Sequence, residues 1–207
     1  MPYDFAHGTK RDVTGPRCSH LNGPLRVISD IARTKLTTLR ASSIIIVMGV
    51  TGAGKTTIGA RLAERLGVRF VDADEFHAPA SVAKMRAGIP LEDVDRESWL
   101  HAIRAQIERW QSDGMDGVVA CSALKRVYRE TIIGGSPGMR LVYLKADPAV
   151  IADRLVRRHN HFMSPSLLDS QFAILEEPAA DERPIIVDAA RNPDDLIAEI
   201  AGLVTRG

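Results

Sequence analysis

Ile44-Ile-Ile-Val-Met-Gly-Val-Thr-Gly-Ala-Gly-Lys-Thr56 joins five apolar residues to a glycine-rich turn that ends in a Lys-Thr pair. The β-branched run reads as a strand buried on both faces. Behind the turn, Ile58, Leu62 and Leu66 recur at helical spacing. Gly49 to Thr56 matches G-x-x-x-x-G-K-[ST], a loop whose backbone N–H groups must converge on phosphate oxygens. Such a bend needs glycine, supplied here at Gly49, Gly52 and Gly54. Gly49, Val50, Thr51, Gly52, Ala53, Gly54, Lys55, Thr56 and Thr57 are therefore the candidates for a nucleoside triphosphate site. Lys55 would reach the β- and γ-phosphates, and the Thr56 hydroxyl would ligate Mg²⁺.

Working outward, apolar strands alternate with helical stretches. Arg69–Asp74, Gly117–Ser122, Arg140–Ala146 and Ile185–Asp188 read as further strands. Helices are expected near Ser98–Ser112, Leu124–Ile133, Pro148–His159, Ser166–Leu175 and Pro193–Val204. This alternation predicts an α/β fold, a five-stranded parallel sheet with helices on both faces, over residues 42–207. Residues 1–41 differ: they net +4 while the remainder nets −3, and glycines and prolines break their first half. They read as a disordered N-terminal extension.

Composition excludes several classes. The chain has 207 residues, 45% hydrophobic and 26% charged, as a globular protein does. A net charge of +1 gives no global field to recruit nucleic acid or an anionic membrane. The longest apolar run, Ile44–Met48, is far short of the ~20 residues a membrane span needs. Cys18 and Cys121 are too few for a disulfide scaffold and suit the cytoplasm.

A phosphate loop does not say whether the nucleotide is a switch, a fuel or a donor. The guanine-reading N-K-x-D pattern is absent from the chain. Asp72 and Asp74 end the second strand two residues apart, where open parallel sheets hold ligands. Asp72 could hold water of a Mg²⁺ shell near Thr56, and Asp74 could take a proton from an attacking hydroxyl. Equally, both could be turn or capping residues. Asp95 is placed to cap the helix that buries Trp99, Ile103, Ile107 and Trp110. Arg96 in that helix's first turn calls for an anion, either a carboxylated substrate or Asp93. Ser122 at a strand tip, with Lys125 and Arg129 four apart, suits an anionic small molecule, or the two cations are simply solvated. Arg154 to Phe162 is a cationic run free of acids, suited to a mobile lid over a triphosphate.

Taken together, the phosphate loop, Asp72-Ala-Asp-Glu-Phe-His77, Lys84-Met85, Pro90 to Leu100, Cys121-Ser-Ala-Leu-Lys125, Tyr128-Arg129, His161-Phe162, Ser170-Gln-Phe172 and Leu175-Glu176 resemble the small gluconokinase family. The resemblance runs from about Ile44 to Pro178. It implies a P-loop kinase fold with a mobile helical lid, ATP and Mg²⁺ as cofactors, D-gluconate as acceptor and 6-phospho-D-gluconate as product. Family members are often homodimers. Carried over, Lys55, Asp74, Arg154 and Arg158 are catalytic, and Thr56 and Asp72 hold the metal. Asp74, His77, Lys84, Arg96, Ser122, Lys125, Arg129 and His161 bind gluconate. Departures from the pattern are Ala73, Ala78, Ser81, Ser98 and Ile133, none of which removes an inferred catalytic group. The competing readings are a shikimate kinase-like enzyme and a nucleotide-binding protein without turnover. Against the first, Cys121-Ser-Ala-Leu124 stands where shikimate kinases carry a glycine-rich turn.

Overall fold

The computed structural model describes residues 42–157 and 165–206. The N-terminal 41 residues, Arg158 and His161 lie outside them, as does the centre of the expected lid. In chain order the elements are β1 (Ile44–Met48), α1 (Lys55–Leu66), β2 (Arg69–Asp72), α2 (Pro79–Arg86) and α3 (Asp93–Ser112). Then come β3 (Gly117–Ala120), α4 (Arg126–Ile133), β4 (Met139–Lys145), α5 (Pro148–Arg157), α6 (Pro165–Ile174), β5 (Ile185–Asp188) and α7 (Pro193–Arg206). No described helix is long and apolar enough to cross a membrane.

The five strands pair in parallel in the order β2-β3-β1-β4-β5. β1 lies at the centre, Ile44 registering with Gly117 on one side and Met139 on the other. Period-two alternation splits its apolar residues between two cores. Ile45 and Val47 meet Ile58 and Leu62 of α1 and Leu196, Ile197 and Ile200 of α7. Ile44, Ile46 and Met48 meet Trp99, Ile103, Ile107 and Trp110 of α3 and Tyr128 and Ile132 of α4. The four α3 residues read as core from their spacing are all buried. Gly117 opens β3 because a Cβ there would lie 2.4 Å from the Trp110 ring.

Three expectations change. β2 stops at Asp72, and Asp74 lies in a 3-10 turn, Ala73–Phe76, so the two aspartates do not share a strand face. Instead Asp72 caps that turn by accepting the Asp74 N–H at 3.1 Å. α3 starts at Asp93, five residues before the expected Ser98. Asp95 does serve its N-terminus, accepting the Glu92 N–H at 2.9 Å. α4 starts at Arg126 rather than Leu124, because Ala123 has φ +44°. The short helix α2 carried no periodic signal and was not expected.

Candidate active site

The phosphate loop leaves β1 at Gly49, where φ is +148° and a Cβ would stand 2.9 Å from the Leu144 carbonyl oxygen. Gly54, at φ +99°, leads into α1 with no side chain capping the helix. The first-turn N–H groups are thus left for an anion. Lys55 is half-buried and donates to the Val50 carbonyl at 3.0 Å, bending back over the loop. Burial lowers its pKa, and the neighbouring carboxylates of Asp74 and Asp72 oppose that shift.

Thr56 Oγ1 donates to Asp72 Oδ2 at 2.6 Å. This is the hard hydroxyl-and-carboxylate donor set that suits a magnesium ion beside phosphates. Among the described residues, no group of three or more His, Cys, Asp or Glu side chains gathers to hold a metal. An ion at Thr56 and Asp72 would therefore complete its shell with phosphate oxygens and water.

Beyond the loop lies an open recess. Thr51, Lys55, Asp74, His77, Arg96 and Ser122 supply its polar lining. The His77 ring stacks on Trp99 with centroids 4.7 Å apart and planes 5° from parallel. Trp99 is itself fixed by donating Nε1–H to the Ala73 carbonyl at 2.7 Å. The His77 side chain is only 6% exposed, and its buried Nδ1 has no hydrogen-bond partner. Burial pushes its pKa down; Asp74 opposes this and Arg96 adds to it. Burial thus favours the neutral imidazole, which lines the recess while its Nδ1 stays buried and unpaired.

Arg96 both approaches Asp93 and lines the recess. Its Nη1 lies 3.7 Å from Asp93 Oδ1 and donates to Tyr128 Oη at 3.3 Å, yet the side chain still lines the recess. Asp93 is better satisfied by others: it accepts from Lys125 Nζ at 2.7 and 2.8 Å and from the Tyr128 hydroxyl. These donors hold its carboxyl below the usual range.

Three sequence candidates are placed elsewhere. Lys84 Nζ is taken by Asp95 at 2.7 and 2.9 Å, and its neighbour Met85 lines the recess instead. Lys125 caps the start of α4 and is held by Asp93, so it does not share a helical face with Arg129. Arg129 is 2% exposed, bound by Glu182 at 2.5 and 2.9 Å and by the carbonyls of Ala123, Leu124 and Glu176. It is a buried brace with no donor turned to the recess. Arg129→Met, which strands Glu182, should cost about 3 kcal/mol of stability. On a domain of this size that lowers Tm by roughly 6–12 °C in a thermal melt. An unchanged Tm would show that the brace carries little.

On the far side of the loop a second recess is formed by Gly52, Ala53, Thr57, Arg154, Ala189 and Arg191. Arg154 is fixed there by donating Nη2–H to the Ala189 carbonyl at 2.6 Å. The sequence reading missed Ala189 and Arg191, although they follow the tip of β5, where parallel sheets bind ligands. Tyr128 and Gln171, quoted in the family resemblance without a role, also line the acceptor recess.

The family model described as Shikimate kinase matches residues 51–199. The gluconokinase of Gluconobacter oxydans is 44% identical over 156 residues, covering 75% of this chain and 88% of that one. The structure of a gluconokinase from Sinorhizobium meliloti superposes with a TM-score of 0.72 at 38% identity, covering 81% of this chain and 94% of that one. An unliganded sugar kinase from a Janibacter species gives 0.73 at 40% identity, covering 77% and 92%.

Proposed function

The chain belongs to the gluconokinase family, and from that premise we propose that it transfers the γ-phosphoryl group of ATP to the terminal hydroxyl of D-gluconate. The P–O bond to the β-phosphate breaks, a new P–O bond forms at the sugar-acid oxygen, and ADP and 6-phospho-D-gluconate leave. The observation that carries this reading is the recess beside the phosphate loop. It surrounds one bound molecule with a cation, Arg96, and with the polar side chains of Asp74, His77 and Ser122. A carboxylate with a chain of hydroxyls matches that lining.

In this reading Arg96 takes the carboxylate and anchors one end of gluconate. His77, held flat by Trp99, accepts from a hydroxyl along the chain, and Ser122 donates to another. The far end then reaches Asp74, which receives the proton of the attacking hydroxyl. Lys55 and the N–H groups of Gly52 to Thr56 hold the β- and γ-phosphates. Gly52, Ala53, Thr57, Arg154 and Arg191 hold the rest of the nucleotide. Magnesium at Thr56 and Asp72, when bound, neutralises phosphate charge. Residues 42–207 form the catalytic unit, acting in the cytoplasm, where ATP is supplied and the buried Cys121 thiol stays reduced; we take the assembly to be a homodimer.

The test is ADP release with Mg-ATP and D-gluconate, shikimate, AMP or no acceptor. Strong turnover is expected with gluconate alone. Turnover with shikimate or AMP instead would overturn the roles given to His77 and Arg96.

A further inference from the structure

The phosphate loop is shared between two recesses, and the division falls between adjacent residues. Gly52, Ala53 and Gly54 line the outer recess with Arg154 and Arg191. Thr51 and Lys55 line the acceptor recess. A phosphoryl group passing between the two recesses crosses the loop beside Thr51 and Lys55.

One loop amide at this crossing is not free for phosphate. The Thr51 N–H donates to Gln171 Oε1 at 2.7 Å, across 120 residues of sequence. Gln171 is carried by α6 and itself lines the acceptor recess. Its oxygen is committed to the loop, which fixes the amide plane and turns the donor nitrogen to the other side. The helix is pinned beyond its C-terminal end as well. Glu176 donates its N–H to the Leu124 carbonyl at 2.9 Å and accepts from the Arg126 N–H at 2.6 Å. Arg129 Nη1 binds the Glu176 carbonyl at 2.9 Å. α6 thus ties the donor loop at one point and the acceptor loop after β3 at another, and Gln171 stands at the first.

We propose that Gln171 is an acceptor-binding residue, its amide nitrogen donating to a gluconate hydroxyl next to the phosphate loop while its oxygen holds Thr51. This rests on the gluconate reading and adds a contact to it. A carboxamide suits the place because it offers an acceptor to the loop and a donor to the sugar acid without charge. A carboxylate there would face the γ-phosphate, and an apolar chain would leave the Thr51 N–H unpaired.

Two near-isosteric variants separate the roles. Gln171→Glu keeps an oxygen for the Thr51 N–H but loses the donor and gains a charge. Gln171→Met loses both hydrogen bonds without adding charge. If Gln171 only braces the loop, the Glu variant retains activity. If charge alone matters, the Met variant retains it. The proposal requires both to lose kcat/KM for gluconate by at least about tenfold, with a raised gluconate KM. ADP, which lacks the γ-phosphate, should bind both variants within about threefold of the parent; the Tm of Gln171→Glu should stay close to it, and that of Gln171→Met should fall by a few degrees at most for the unpaired Thr51 N–H. Retention of gluconate kcat/KM in either variant overturns the proposal, as does an equal loss of ADP binding. Parent turnover of D-gluconate is measured alongside. Its absence would sink the gluconate reading and this contact with it, whereas parent turnover with an unaffected variant sinks the contact alone.

Discussion

Lys55→Ala is expected to abolish gluconate-dependent ADP release, lowering kcat by at least about a thousandfold. The ammonium is the cation that the loop itself brings to the crossing point, half-buried and pre-bent onto the Val50 carbonyl. In a site that excludes water, such a charge is worth far more against a phosphoryl group than it would be in solution. Folding should survive, because the side chain lost makes one backbone contact and fills none of the two cores. A Tm near the parent value, with turnover gone, is the result to look for. Turnover within about tenfold of the parent would remove Lys55 from the transfer step.

The burial of Lys55 also sets a pH dependence. Its pKa is lowered from 10.5 in the free protein, so the ammonium loses its proton earlier on the alkaline side than an exposed lysine would. kcat/KM for ATP reports the free enzyme and should fall along an alkaline limb below that value. With phosphate oxygens bound against the ammonium, its pKa rises again. kcat should therefore hold to higher pH than kcat/KM. Coincident limbs would mean that bound phosphate does not touch Lys55.

How much of this was legible in the sequence depended on how local the cause is. The phosphate loop was readable because its chemistry needs fixed residue types at fixed spacing. β1 and the buried face of α3 were readable because strand and helix periods print directly onto apolar positions. The placement of cations was not. Lys125 and Arg129 are four apart, yet Ala123 at φ +44° delays α4, making Lys125 a cap and Arg129 a buried brace. Nothing local announces a backbone turn of that kind. Glu182 and Glu176, which claim Arg129, arrive from some fifty residues away. Gln171 shows the same limit: its Thr51 partner is 120 residues distant. His77 was picked out by the family resemblance, but its stacking on Trp99 joins two residues that the sequence placed in separate roles. Trp99 is both core and platform.

Asp74→Asn should lower kcat by about a hundredfold to ten-thousandfold, the range of a lost general base. The carboxylate sits in the turn after β2, its N–H held by Asp72 and one oxygen 3.9 Å from His77 Nε2. Its side chain is 73% exposed, open to an incoming hydroxyl. Asn preserves the size and the backbone contact but cannot take the proton, so ADP affinity should stay near that of the parent. The substitution has a second, separable consequence. Asp74 is the first charge opposing the burial of Lys55, and removing it should lower the Lys55 pKa further. The alkaline limb of kcat/KM for ATP then moves to lower pH, while the loss of kcat is present already at neutral pH. A variant that shifts the limb but keeps kcat would leave Asp74 as a mere counter-ion for Lys55. One that loses kcat with the limb unmoved would place the base function at Asp74 and show that its charge does not reach the lysine.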